Sequence, residues 1–331
     1  MTDNLNEVSG GNPPPESYAV RYFWHDKTWS ALVRDFSTLP HALLFHGIEG
    51  LGKSALAWQL AKSLLCESPD ADAMACGICP SCVRFTAGTH PDLRNVAPGG
   101  DSRIISVDQI REISQFSTLT PHTAKRKIIL LNPADAMNTS ASNAFLKVLE
   151  EPPPSCSLLL VTARPARLPA TIRSRCVAIS VLPPRREEAT AWLQTFGVDS
   201  ETAIAGLNLA GGAPVRALEL IRADELRLHD NWLRDVFALR EGSKDPLSCA
   251  RQWKDYGAER CLGWFQRYVA ELATEAVGDS SNQENRMLLS NLFLYSDVLS
   301  EARSLAAGPL DESLLLEDVT IRWSRLFHPV V

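Results

Sequence analysis

The octapeptide Gly47-Ile48-Glu49-Gly50-Leu51-Gly52-Lys53-Ser54 constrains this chain more than any other stretch. It fits G-x-x-x-x-G-K-[ST] at every fixed position. Glycines there let successive backbone N–H groups turn inward around phosphate oxygens, and the following helix adds its positive end. Lys53 can then reach terminal phosphates, and the Ser54 hydroxyl suits a magnesium ion. A loop of this kind needs a strand before it and a helix after it. Both flanks comply, since Ala42-Leu43-Leu44-Phe45 is a short apolar run and Ser54–Leu65 has a helical pattern.

The same alternation continues from about Tyr18 to Val181. Ile128–Leu131 and Leu158–Val161 are further four-residue apolar runs, which suits strands buried on both faces of a parallel sheet. Ser140–Leu149 reads as a helix stopped by Glu150-Glu151-Pro152-Pro153-Pro154. Together they predict a doubly wound α/β domain. Pro183-Pro184 marks a boundary, after which helical periodicity takes over. A small unit of about Arg185–Ala223 is broken by Gly211-Gly212-Ala213-Pro214, and helix continues to the end. Phe265, Tyr268, Val269, Leu272 and Ala276 form one apolar stripe, and Leu288, Leu292, Tyr295 and Leu299 another. With 331 residues, two or three domains are expected. Residues 1–17 read as a flexible tail, because Met1–Pro15 is polar and Gly/Pro-rich.

Phosphate hydrolysis needs a second element, an acidic residue at the end of a neighbouring strand that holds magnesium and positions water. Here Ile128–Leu131 runs into Asn132-Pro133-Ala134-Asp135. Asn132 supplies no carboxylate charge and Pro133 no side-chain base, while Asp135 lies further along, free to cap or bridge. The cradle is whole and its hydrolytic half is missing.

Cys66, Cys76, Cys79 and Cys82 place four thiols within seventeen residues. Two C-x-x-C steps and one more distant thiol suit a closed, tetrahedral four-cysteine zinc site with no open catalytic position. The other four cysteines, Cys156, Cys176, Cys249 and Cys261, lack such spacing and are expected as buried small apolar residues. Arg173 and Arg175 flank Ser174 on a loop. They suit a solvated surface or, if held at a subunit edge, the stabilisation of phosphoryl-transfer charge in a neighbour.

Composition removes other classes. The net charge of −6 excludes a strongly basic nucleic-acid coat. No apolar run approaches the length of a membrane span, and the amino terminus lacks a signal-peptide core. The cytoplasm is the expected compartment, where thiols stay reduced.

Taken together, these motifs resemble the bacterial clamp-loader subunits of the AAA+ class, and among them the delta-prime subunits of DNA polymerase III. The resemblance covers nearly the whole chain. It rests on Leu39–Gly47 at the entry to the P-loop, the cysteine module, His90-Pro91-Asp92 and the stretch Asn143–Pro153. Ser174-Arg175-Cys176 and Leu314–Trp323 complete it. It implies an α/β AAA+ core over 18–183 with an inserted zinc module at 66–82, a helical lid over 184–223 and an all-α collar over 224–331. Gly47, Gly50, Leu51, Gly52, Lys53 and Ser54 would bind ATP or ADP with magnesium, and Thr162 falls at the family's polar sensor position. Arg175 would act as an arginine finger on ATP held by an adjacent subunit.

The implied partners are the motor subunits (gamma/tau) and a delta subunit in a hetero-pentameric ring. Through that ring the chain would meet the sliding clamp and primed DNA, in a nucleoid-associated replisome. Motor subunits resemble the chain in its zinc module and SRC motif but carry acids where Asn132 and Pro133 stand. They also carry a lid arginine where Val215 stands, with Arg216 displaced by one residue. Both departures favour the delta-prime role over an ATP-hydrolysing motor. Some delta-prime subunits have a damaged P-loop, whereas Gly47–Ser54 is whole. A zinc-dependent nucleic-acid-binding module is the remaining alternative, disfavoured by the acidic balance and by the lack of an aromatic-basic stripe around Cys66–Cys82.

Overall fold

The structure is a computed structural model that describes residues 20–34, 39–99, 102–278, 283–306 and 311–327. The expected tail over 1–17 lies outside the described residues. The chain divides into two compact units, Met1–Glu219 and Leu220–Val331.

In the first unit, helix α1 (Asp26–Val33) precedes strand β1 (Ala42–His46), the P-loop and helix α2 (Lys53–Leu65). Helix α3 (Pro80–Thr86) and strand β2 (Leu93–Val96) follow, then α4 (Val107–Thr118), β3 (Lys127–Leu131), α5 (Thr139–Glu150) and β4 (Cys156–Thr162). The short α6 (Ala170–Arg173) leads into β5 (Val177–Ser180). The five strands form one sheet in the order β2-β3-β4-β1-β5, parallel throughout. The apolar runs read from sequence are the three central strands β1, β3 and β4.

Their side chains alternate between two covered faces. Leu44, Ile129, Leu131, Leu158 and Leu160 join Ile110, Ile113, Phe145, Val148 and Ile172 from α4, α5 and α6 in one core. Helix α2 packs on β1, β3 and β4 and buries Leu56, Trp58 and Leu60. Local signals set the helix ends. Ser106 and Gln109 form a reciprocal capping box at α4, and Asn138 caps α5 by accepting the Ala141 N–H. The edge strand β2 carries no apolar run, since Arg94 and Asn95 are only half-buried, whereas β5 contains the apolar Val177-Ala178-Ile179 yet is largely exposed.

After β5, three helices belong mainly to the same unit: α7 (Arg186–Gln194), α8 (Ser200–Leu209) and α9 (Pro214–Arg222). The second unit is helical in all its described elements: α10 (Glu225–Arg240), α11 (Pro246–Lys254), α12 (Ala258–Gly278), α13 (Gln283–Ala306) and α14 (Glu312–Phe327). The two apolar stripes lie on α12 and α13. Phe265 and Tyr295 are fully buried with Trp232, Trp253 and Trp323, their rings meeting mostly edge-on or tilted. Two buried polar edges find partners: the Tyr295 hydroxyl donates to the Val319 carbonyl at 2.9 Å and the Trp253 indole to Asp235 at 3.1 Å. No helix among the described residues is long and apolar enough to cross a membrane.

Candidate functional site: a P-loop, a thiol cluster and an exposed arginine

The P-loop joins the end of β1 to the start of α2, and so stands at the positive end of that helix's dipole. Two glycines are required by close approach as well as by backbone angle. At Gly50, φ is +79°, and an added Cβ would lie 2.2 Å from Arg216 Cβ and 2.6 Å from its backbone N. At Gly52, φ is +73°, and an added Cβ would enter the Tyr22 ring at 2.4 Å. The loop is thus held from two sides. The Val215 N–H, near the start of α9, donates to the Gly50 carbonyl at 3.2 Å. On the other side the Trp24 indole donates to the Leu51 carbonyl at 3.0 Å, and His25 Nε2 approaches the same oxygen at 2.7 Å. Nothing in the spacing of Tyr22, Trp24 and His25 marks them in sequence as partners of a loop so far along the chain.

Lys53 is buried and donates from Nζ to the Ile48 carbonyl at 2.6 Å. Burial lowers its pKa, while the charges of Glu49 and Asp135 oppose that shift. Its ammonium therefore lies on the loop's own Ile48 carbonyl, a place that a phosphate oxygen could take. Asn132 follows β3 and its Nδ2 donates to Ser54 Oγ at 2.9 Å. Thr162, the last residue of β4, donates from Oγ1 to Asp135 Oδ1 at 2.5 Å and accepts the Arg164 N–H at 2.9 Å. Asp135 thus bridges, and the Thr162 hydroxyl has its proton and one lone pair already engaged. Lys53, Ser54 and the backbone amides at the start of α2 make a donor set that fits a phosphate. The same place lacks the carboxylate expected beside a hydrolytic magnesium, since an amide of Asn132 meets Ser54 instead.

The four cysteines come together in space. Their sulfurs all lie within 4.8 Å of one another, with Cys66–Cys76 at 3.6 Å and Cys66–Cys79 at 3.9 Å. Four sulfurs placed tetrahedrally about zinc at about 2.3 Å are roughly 3.8 Å apart, so the cluster already has the span of that ion. Backbone amides support thiolates here: Cys76 N–H donates to Cys66 Sγ, Cys79 N–H to Cys76 Sγ and Cys82 N–H to Cys79 Sγ. The Ile78 and Cys79 amides pull the Cys76 thiol down to about 6, whereas burial raises Cys66 and Cys82. Of the remaining cysteines, Cys156, Cys249 and Cys261 are buried and pushed up to about 12 by that burial. Cys176 is only half-buried but packs against the core of the first unit, and burial raises its thiol to about 11.

The thiol module is tied to the sheet through a buried polar relay. Ser81 sits between Cys79 and Cys82 and donates from Oγ to the Leu65 carbonyl at 2.5 Å. It also meets His90 Nε2 at 2.8 Å, and the Asp92 N–H donates to His90 Nδ1 at 3.1 Å. Asp92 is fully buried. Its carboxylate accepts the amides of His122, Thr123 and Ala124 at 2.6, 2.7 and 2.9 Å, and Lys127 Nζ lies 3.5 Å away. Burial alone would raise this carboxyl, but those amides outweigh it and hold it at about 2. The tripeptide His90-Pro91-Asp92 is therefore structural.

Arg173 closes α6 and Arg175 follows it closely, so neither lies on a long loop. Arg175 donates from Nη1 to the Thr171 carbonyl at 3.0 Å and from Nη2 to Glu150 at 2.8 Å. The phosphate cradle, the thiol cluster and Arg175 occupy three separate places in the first unit.

Residues 24–185 match the family described as DNA polymerase III, delta subunit. The chain is similar to the DNA polymerase III subunit delta' of Pseudomonas aeruginosa, at 34% identity over 93% of this chain and 98% of that one. It is 37% identical to the subunit delta' of Escherichia coli, over 58% of this chain and 56% of that one. Similarity to the DNA polymerase III subunit tau of Salmonella typhimurium, at 35% identity, spans only 42% of this chain and 21% of that one. End-to-end likeness thus falls on delta' and partial likeness on tau. The chain belongs to the delta-prime subunits of DNA polymerase III.

Proposed function

We propose that this chain is the non-motor, delta-prime member of the ring that loads the sliding clamp onto primed DNA. In this reading residues 18–183 are the AAA+ core, 184–223 its lid and 224–331 the collar through which it joins gamma/tau and delta subunits in a hetero-pentamer. The complex would work in the cytoplasm, at the nucleoid. The observation that carries the reading is the hydrogen bond from Asn132 to Ser54 beside an otherwise whole P-loop. It supports a subunit able to hold ATP or ADP but poorly equipped to hydrolyse it.

Lys53 and the amides of Gly50, Leu51, Gly52 and Ser54 would neutralise phosphate charge, with Gly47 opening the turn. Ser54 would be the protein's contact to bound magnesium, which would supply charge neutralisation only, because no carboxylate stands at 132 or 133. Thr162 sits at the sensor position, but its proton is committed to Asp135, which also weighs against turnover. Cys66, Cys76, Cys79 and Cys82 would hold a structural zinc with all four positions filled by protein. Arg175 is exposed at the surface and presents the fixed fork of donors of a guanidinium. It would reach the γ-phosphate of ATP bound by a neighbouring motor subunit and so trigger a hydrolysis its own chain does not perform.

The test is Arg175→Ala in the complex reconstituted with its motor and delta subunits. DNA-stimulated ATPase and clamp loading should fall while assembly and zinc content stay unchanged, and Arg175→Lys should rescue poorly because it loses the fork geometry. Arg173→Ala is the control. Wild-type loading by Arg175→Ala with a defect in Arg173→Ala would refute the assignment.

A further inference from the structure

Two sequence motifs that lie far apart in the chain meet in one ion pair. Glu150 ends α5 and belongs to the stretch Asn143–Pro153, while Arg175 belongs to Ser174–Cys176. Their side chains join at 2.8 Å, Oε1 to Nη2. The position of Glu150 is unfavourable for its own helix, since a carboxylate at a helix C-terminus faces the negative end of the dipole. Helix stability therefore does not explain the acid. A cation placed against it does, and Arg175 is that cation.

The grip on Arg175 has two parts, and both are oxygen acceptors of the kind a phosphate offers. Thr171, within the last turn of α6, accepts from Nη1 through its carbonyl, and Glu150 accepts from Nη2. A guanidinium binds carboxylate and phosphate through the same planar fork, so the Glu150 carboxylate occupies a donor that a phosphate would need. The pair is also open to exchange, with side chains 38% and 51% exposed. Exposed pairs of this kind bias an equilibrium only about 2- to 5-fold. That is enough to set where the arginine rests and too little to keep it from a polyphosphate.

We infer that Glu150 parks Arg175 on its own subunit, acting as a built-in competitor that the neighbour's terminal phosphate must displace. Glu150 is thus a positioning residue, and the inference rests on the trans-acting role proposed above for Arg175. It assigns Glu150 a brake on hydrolysis: without it the arginine is more often free, and turnover begins more readily before DNA is bound.

The test uses Glu150→Gln, which keeps shape and removes charge, in two settings. In the isolated full chain, side-chain nitrogen NMR follows rotation of the Arg175 guanidinium about Nε–Cζ, the signal being assigned by its loss in Arg175→Ala. The expected result is faster rotation in Glu150→Gln. In the reconstituted complex, the ATPase measured without DNA should rise about 2- to 5-fold. The rise should vanish in an Arg175→Ala background and shrink as added salt screens the wild-type pair. Unchanged rotation overturns the parking contact. A fall in ATPase, or an equal effect with and without Arg175, assigns Glu150 a purely structural role and overturns the inference. If rotation changes while Arg175→Ala itself leaves the ATPase at the wild-type level, the contact stands but the trans-acting role fails, and the brake fails with it.

Discussion

Replacing Asp92 by alanine should be among the most damaging single changes in the first unit, although the residue touches neither the P-loop nor the thiols. The fully buried carboxylate satisfies three consecutive amides, His122 to Ala124, and neutralises Lys127, whose side chain is 4% exposed. Alanine would leave that ammonium with only the Phe116 ring, 4.0 Å away, and the amides without their acceptor. Breaking a buried, hydrogen-bonded pair costs about 3–5 kcal/mol, against a total stability of about 5–15 kcal/mol for a typical domain. Asp92→Asn keeps an acceptor and loses the charge, so its cost should be smaller.

The pH dependence follows from the same contacts. The folded carboxyl is held at about 2 against an ordinary 3.8. A depressed acid stabilises the fold fully above its unfolded value, so the contribution is complete above about pH 4 and fades as pH falls toward 2. Holding the carboxyl that low corresponds to roughly 2 kcal/mol. Urea unfolding of the full chain at neutral pH, with native-state hydrogen exchange resolving the His122–Ala124 and Ile128 amides, measures the effect. Lys127→Met should restore part of the stability lost in Asp92→Ala, because the stranded charge is then gone. A loss below about 1 kcal/mol with unchanged exchange at His122–Ala124 would refute the reasoning, since water would then replace the carboxylate at little cost.

Elemental analysis should find about one zinc per chain, with Cys79→Ser losing it; a natively folded, metal-free wild type would end the assignment. Gly50→Ala should lower the thermal midpoint of the first unit more than Gly197→Ala. Both glycines have φ near +80°, but only Gly50 faces the backbone of Arg216 while Gly197 faces open space, so equal losses would show that strain alone matters. In the isolated chain, calorimetry should detect nucleotide binding that Lys53→Ala weakens, without appreciable ATP turnover; robust hydrolysis would instead favour a motor role.

Much of this protein was legible in its residues because the relevant interactions are local. The P-loop is eight consecutive residues whose glycines and lysine act through neighbouring backbone. The cysteines span seventeen residues, close enough for spacing to dictate a shared centre, and their sulfurs meet within 4.8 Å. The central strands announced themselves because a strand covered on both faces has no polar alternation. The edge strand β2 did not, since Arg94 and Asn95 interrupt its apolar residues, and β5 is short and largely exposed although Val177-Ala178-Ile179 is apolar. Cys176, expected as a core residue, packs against the core while staying half-buried. Pairings across long stretches of chain had no periodic or spacing signal at all. Trp24 on the Leu51 carbonyl, Asn132 on Ser54, Asp135 on Thr162 and Glu150 on Arg175 exist only because the sheet order brings separate loops to common places. Sequence by itself determined which chemical groups this chain possesses and the elements that carry them. Tertiary structure alone decided which of those groups already satisfy one another and which stay available to a ligand or a neighbour, because a hydrogen bond depends on distance in space and not on separation along the chain.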